Sequence, residues 1–214
     1  MQKRTNFFTS ALLAFSGGLQ DAYTYNVRDH VFANAQTGNV VLMTQNFMSG
    51  QWNTALGFLC PIMAFALGIF VTERISSRLE RSKGLDWRRA ILLGEMLVLL
   101  AVGFLPYNLN ALANAMVSFS CAMQLQAFRE VCGFPYASTM CIGNLRTVVE
   151  NFSKYLRDKD KIALKNAGCV CAIIVIFAIG AGLGGVLSLR WGVPTIWISV
   201  AILLVALFST KRQS

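Results

Sequence analysis

Six long apolar stretches recur along the chain, from about Phe7 to Tyr25, Thr54 to Ile75, Ala90 to Leu105, Leu112 to Phe128, Ala167 to Leu187 and Val193 to Phe208. Polar and largely basic sequence separates them. Each stretch is near the length a helix needs to cross about 30 Å of hydrocarbon. Backbone N–H and C=O groups in lipid must be satisfied within the crossing segment, so such stretches cross as helices. With 55% hydrophobic and 14% charged residues and a mean hydropathy of +0.53, the chain is more apolar than a soluble domain of 214 residues needs to be. The expected fold is an all-α, polytopic integral membrane protein with six transmembrane helices. Lys3 and Arg4 before the first stretch also suit a secretory leader. Gly17, Gly18 and Asp21 within it, and its counterpart at 112–128, favour reading it as the first membrane helix.

Two shorter runs break the pattern, Thr37 to Ser49 and Ile142 to about Phe152. As a helix the first rises about 20 Å, too short to span alone. The two runs are related. A shift of 105 residues carries Gly38 onto Gly143, Asn39 onto Asn144, Asn46 onto Asn151 and Phe47 onto Phe152. It also carries Ala22 onto Ala127, Tyr23 onto Phe128 and Asp21 onto Gln126. The chain therefore reads as one membrane domain built of two repeats, 1–107 and 108–214.

Charge sets the expected topology. The net charge of +9 would suggest nucleic acid in a soluble protein. Here the bases gather between apolar stretches, so membrane lipid and the positive-inside rule account for them and no nucleic-acid partner is expected. If the short runs turn back, six crossings place Lys3, Arg4, the 74–89 bases (Arg74, Arg78, Arg81, Lys83, Arg88, Arg89), the 154–165 bases and Lys211-Arg212 on the cytoplasmic side. Only Arg28 and Arg190 then face outward. If both short runs crossed, the 74–89 bases would move outside. Re-entrant hairpins at 27–49 and 130–153 follow, as do cytoplasmic termini in a bacterial inner membrane. Three crossings per half make the repeat inverted, an arrangement that recurs in transporters and channels.

The segments Gly17-Gly18-Leu19-Gln20-Asp21-Ala22 and Val31-Phe32-Ala33-Asn34-Ala35-Gln36-Thr37-Gly38-Asn39 resemble the YoaK-like family of small bacterial multi-pass membrane proteins. The resemblance implies an inner-membrane protein and implies no activity or substrate. The second half carries Ile142 where the first has Thr37, so its copy of the signature is degenerate.

Candidate site residues follow from the repeat. Free N–H groups at a helix N-terminus attract anions and lone pairs. Two such ends meeting at the midplane would form a substrate site from Thr37, Gly38 and Asn39 on one side and Gly143 and Asn144 on the other. The alternative is that these residues close two tight turns. Asp21 is an acid inside a membrane helix, suited to a cation or a proton, to pairing with Arg146, or to capping the nearby hairpin. Its counterpart Gln126 cannot titrate. Arg146 suits an anion or an ion pair with Glu150 one turn on. Glu95 suits a proton relay or the cytoplasmic edge. Gly180-x-x-x-Gly184, with Gly182 and Gly185, suits helix packing within the chain or in a homo-oligomer. Trp52, Trp87, Trp191 and Trp197 suit interface anchors. The six cysteines form no C-x-x-C pair and read as small buried hydrophobes. No nucleotide loop, nucleophile triad or metal motif is present, so neither an enzyme nor a cofactor is expected. The expected function is a channel or secondary transporter for a small solute or ion, with a non-transporting scaffold or accessory subunit as the rival.

Overall fold

The computed structural model describes residues 6–79, 87–131, 133–139 and 141–211. Lys3, Arg4, Arg81, Lys83, Cys132 and Arg212 lie outside the described residues. Among those described, eight α-helices account for nearly all the structure: α1 (Phe7–Val27), α2 (Gln36–Met48), α3 (Trp52–Leu79), α4 (Trp87–Val102), α5 (Asn110–Ala127), α6 (Cys141–Asp158), α7 (Lys161–Trp191) and α8 (Ile196–Lys211). The only strands described are β1 (Glu130–Val131) and β2 (Phe134–Pro135), an antiparallel pair turning at Gly133.

Among the described residues, three helices are long and apolar enough to cross a membrane, at Trp52–Arg78, Lys161–Trp191 and Val193–Thr210. The first apolar stretch, α1, falls outside that set because of its composition. Thr9, Ser10, Ser16, Gln20, Asp21 and Thr24 lie along it, and all six are buried against protein. A helix with such residues needs neighbours on several sides, which α1 finds in α5, α7 and α8. The basic segments also differ from the expected loops. Arg74 and Arg78 ride on α3, Arg88 and Arg89 on α4, and Lys154 and Arg157 on α6. Only Lys159 and Asp160 separate α6 from α7. Asp160 caps α7 by accepting from the N–H groups of Ile162 and Ala163, and it pairs with Lys154 at 2.9 Å. The Lys154 ammonium and those N–H groups hold the Asp160 carboxyl below its usual range.

The helix partnerships follow a rule. α1 packs mainly on α7 and α3 mainly on α5; α2 packs on α3 and α6 on α7; α1 meets α8 and α5 meets α4. Exchanging α1–α4 with α5–α8 turns each of these pairs into another. The first helix of each half thus packs on the third helix of the other half.

Small residues set how closely these pairs approach. A Cβ on Gly18 would strike the Phe177 carbonyl oxygen, and one on Gly180 would strike the Phe15 carbonyl oxygen. One on Gly184 would lie 2.7 Å from Leu19 Cα. The Gly180-x-x-x-Gly184 pattern is therefore a contact within the chain, against α1. Gly182 faces open space and takes no part. On α3, a Cβ on Gly68 would lie 2.8 Å from Ala122 Cβ of α5, so the partner pair is equally close. Trp197 fills the place a side chain on Gly103 would take and donates to Leu100 O at 3.2 Å, joining α8 to α4.

Arg28, expected on the outer side, is fully buried in the protein. All five of its N–H groups are used: Nε donates to Tyr23 Oη, Nη1 to Pro106 O and Asn110 Oδ1, and Nη2 to Val102 O and Leu105 O. Its charge meets the negative end of α4 and the Tyr23 and Tyr107 rings. Asn114 in turn donates to Arg28 O at 2.7 Å, so the guanidinium locks the end of α1 to the α4–α5 connection.

Two substitutions and one control test this packing. Gly180→Leu forces α1 and α7 apart and lowers the unfolding midpoint of detergent-purified protein, whereas Gly182→Leu leaves it near wild type. Arg28→Lys supplies a point charge with three donors in place of a fork with five and costs about 2 kcal/mol. Thermal unfolding followed by tryptophan fluorescence reads both.

Candidate functional site

The two breaks that precede α2 and α6 are built alike. Asn39 sits in the first turn of α2 and is fully buried. Its Nδ2 donates to Phe32 O at 2.7 Å and its Oδ1 accepts from Phe32 N–H at 3.0 Å. Asn144 in α6 does the same to Ala137, donating at 2.6 Å and accepting at 3.1 Å. Phe32 and Ala137 are related by the same shift of 105 residues as the two asparagines. Each asparagine mimics a strand neighbour, satisfying both polar groups of one loop residue that has no ladder of its own. Further along, Asn46 Nδ2 donates to Leu42 O and Asn151 Nδ2 to Thr147 O, each at 2.8 Å.

These contacts fit the second of the roles expected of the asparagines, the closing of a tight turn. Both side chains are engaged by loop backbone, and Asn39 also donates to Gln36 Oε1 at 2.9 Å. They hold the breaks shut. The glycines beside them differ. A Cβ on Gly38 would press on the Phe32 ring at 3.1 Å, while one on Gly143 would meet nothing within 4 Å. Thr37 is exposed. Arg146 is exposed and pairs with Glu150 at 2.7 Å, the plainer of its two expected roles.

Asp21 is buried and reaches the first break. Its Oδ1 accepts from Asn34 N–H at 2.7 Å. The carboxylate thus occupies the donor-rich turn just before α2, where an anionic solute was one expectation. Gln126 at the equivalent place in α5 turns away and donates to Glu73 Oε2 at 2.5 Å, beside Arg129. Its neighbour Gln124 serves the second break instead, donating to Ser138 Oγ at 3.2 Å and to Leu13 O at 3.3 Å. The two halves share a backbone device and differ in the side chains that approach it.

Both breaks converge on α1 at Gly17. A Cβ there would collide with Thr139 Cγ2 and lie 3.9 Å from Asn34 Nδ2, and Asn34 Nδ2 donates to Gly17 O at 3.3 Å. Asn34 and Thr139 are again equivalent under the 105-residue shift. Gln20, one residue before Asp21, joins the group to α4 and α5. Its Nε2 donates to Ser16 Oγ at 3.0 Å and to Glu95 Oε1 at 3.4 Å, and its Oε1 accepts from Cys121 Sγ at 2.8 Å. Glu95 is fully buried. Cys121 is the buried member of the described cysteines; Cys60, Cys141 and Cys171 are exposed and Cys169 is half-buried, against the expectation of uniform burial. Gln20, Asn34, Cys121 and Thr139 were not singled out from the sequence. The clue available was position: Gln20 adjoins Asp21 inside an apolar stretch, and Asn34 and Thr139 precede the short runs by equal distances.

A family model described as "Protein of unknown function (DUF1275)" matches residues 9–209, which include both breaks and every helix that packs around them. The chain belongs to this family. It is also similar to the UPF0700 transmembrane protein YoaK of Bacillus subtilis (strain 168), at 20% identity over 212 residues, covering 95% of this chain and 93% of that protein. No solved structure matches it. Family membership, the transmembrane relative and the apolar helices together make this a membrane protein of the DUF1275 family.

The clasps yield a graded test. Asn39→Ala removes both bonds to Phe32, strands two backbone groups and costs about 2–3 kcal/mol. Asn39→Asp keeps the acceptor for Phe32 N–H but loses the donor to Phe32 O, and falls further because two acceptor oxygens then face each other. Equal stability of wild type and both variants in chemical unfolding would show that the clasp contributes nothing.

Proposed function

We propose that this protein is a channel or secondary transporter for a small solute, built as an inverted 3+3 repeat. Six helices cross the membrane, α2 and α6 are re-entrant, the repeats are 1–107 and 108–214, and both termini are cytoplasmic in a bacterial inner membrane. The observation that carries this reading is the meeting of the two helix breaks at Gly17 of α1, with the Asp21 carboxylate of α1 accepting from Asn34 N–H of the first break. Broken helices carry unpaired backbone groups, and proteins keep such backbone within the membrane chiefly where it is buried or lines a path. The exchange symmetry of the helix partnerships supports two halves working about one centre. Lipid and the solute are the proposed partners, with a homo-oligomer as a further possibility for the exposed helix faces. The proposed role involves no catalysis, no cofactor and no nucleic acid.

A second reading, a scaffold or accessory subunit, draws on one observation. Thr139 closes on Gly17, and both asparagines are committed to backbone. For a transporter this is an occluded state that opens by moving one break from α1. For a scaffold it is the permanent structure.

Topology and flux separate these ideas. In a cysteine-free background, a cysteine replacing Lys159 should resist impermeant thiol reagents in intact cells and one replacing Asn108 should react. The reverse pattern overturns the orientation. Purified protein in liposomes should pass at least one solute from a panel of inorganic ions and small metabolites faster than empty liposomes. Asp21→Asn, which keeps the acceptor for Asn34 N–H and loses the charge, should cut that flux at least tenfold. No flux for any member of the panel favours the scaffold.

A further inference from the structure

The cluster where α1, α4, α5 and the two breaks meet has an uneven inventory of polar atoms. Besides Gln124 Oε1 at the second break, three of its side-chain atoms have no hydrogen-bond partner: Glu95 Oε2, Asn34 Oδ1 and Thr139 Oγ1. All three are oxygens able to accept. Their residues are 0%, 4% and 6% exposed. Apart from the Thr139 hydroxyl, the donors of the cluster are spent. Gln20 Nε2 is shared between Ser16 and Glu95, Asn34 Nδ2 is held by Gly17 O, and the Cys121 thiol is held by Gln20 Oε1. Asn34 and Thr139 meet at Gly17, and Gln20, one turn on along α1, joins Glu95 and Cys121, so these groups line one side of α1.

Charge is uneven too. Two carboxyls are buried here, and among the described residues no Lys, Arg or His forms an ion pair with either. The two are not equivalent. Asp21 is compensated by the N–H groups of the turn before α2. Glu95 has one neutral amide on one oxygen and nothing on the other. A bare buried carboxylate is costly, and removing that cost requires one positive charge. Anions are poorly suited, since a buried carboxylate and an amide oxygen face the site and only the Thr139 hydroxyl could donate. Soft metals are poorly suited, since carboxylate, amide and hydroxyl oxygens are hard ligands. A divalent ion would leave excess positive charge, because Asp21 is already compensated.

Resting on the transport reading for the location of the site, we infer that the buried cluster of Glu95, Asn34 and Thr139 beside Gly17 binds one small alkali-metal cation. The ion bridges Glu95 on α4 to both helix breaks through Asn34 and Thr139. It thereby ties the two halves together at the point where they would have to part.

The test is ligand-dependent stability of the full-length protein in detergent. Unfolding midpoints are measured in choline chloride while LiCl, NaCl, KCl, MgCl2 or CaCl2 replaces choline at constant ionic strength. One alkali cation should raise the midpoint saturably, and the divalent ions should add nothing beyond it. Glu95→Gln and Thr139→Val should each shift the half-saturating concentration at least tenfold upward. Thr139→Val, an isosteric change, decides the matter alone if Glu95→Gln fails to fold. Equal midpoints in all the salts overturn the proposal, as do variants that titrate like wild type. Stabilisation by lowered pH with no response to any alkali cation overturns it too, since protonation of Glu95 would then suffice. Saturable cation binding without flux removes the transport reading and leaves the site. Flux that ignores alkali cations removes the site and leaves transport.

Discussion

Everything in this protein depends on how closely α1 and α7 approach. Their backbones meet where Gly18, Gly180 and Gly184 omit side chains. At that separation dispersion contacts run along the whole pair, and inside a membrane such contacts replace the hydrophobic effect as the main attraction between helices. The same solution recurs where Gly68 of α3 meets Ala122 of α5. Between these two tight pairs lie the residues that no lipid-facing helix could carry. Gln20, Glu95, Arg28, Asn110 and Asn114 are all buried, and each finds hydrogen-bond partners on another helix or connection. The glycines set the geometry, and the polar groups fix its register.

The membrane character and the pairing of Asn39 with Asn144 were legible in the sequence, because both rest on spacing. Apolar blocks of bilayer length and a gap-free shift of 105 residues need no tertiary information. Helix positions followed to within a few residues, except that α6 continues to Asp158 and α7 begins at Lys161. Charged residues there favour helix as readily as loop, so composition alone could not mark the boundary. Asp21 was legible as an anomaly, an acid in an apolar stretch. Its partner was not, because capping the break by way of Asn34 depends on how the chain folds back.

Elsewhere the sequence picked out residues whose contacts only the fold could show. Asn39 and Asn144 stood out through the repeat, and their exact pairing across the halves holds in space, yet they clasp backbone. Gln126 stood out only as the counterpart of Asp21, and the repeat does not extend to its contacts. Arg28 was expected on the outer side. Counting charges by loop gives a side and not an environment, so it could not show the guanidinium folded onto the open carbonyls at the end of α4. A repeat transmits backbone roles more faithfully than side-chain chemistry, since backbone needs are the same in both copies.

The crossed partnership of the halves has a consequence for how the chain is made. α1 finds its main partner in α7, which is synthesised near the other end of the chain. At ordinary ribosome speeds the interval is on the order of ten seconds. During that time α1 holds Ser10, Ser16, Gln20 and Asp21 without the helix that encloses them. A nascent helix so burdened is poorly suited to wait among lipid tails, and belongs beside the insertion machinery or another polar helix until α7 emerges. Neither half can complete its own packing, so the protein assembles late and as a whole.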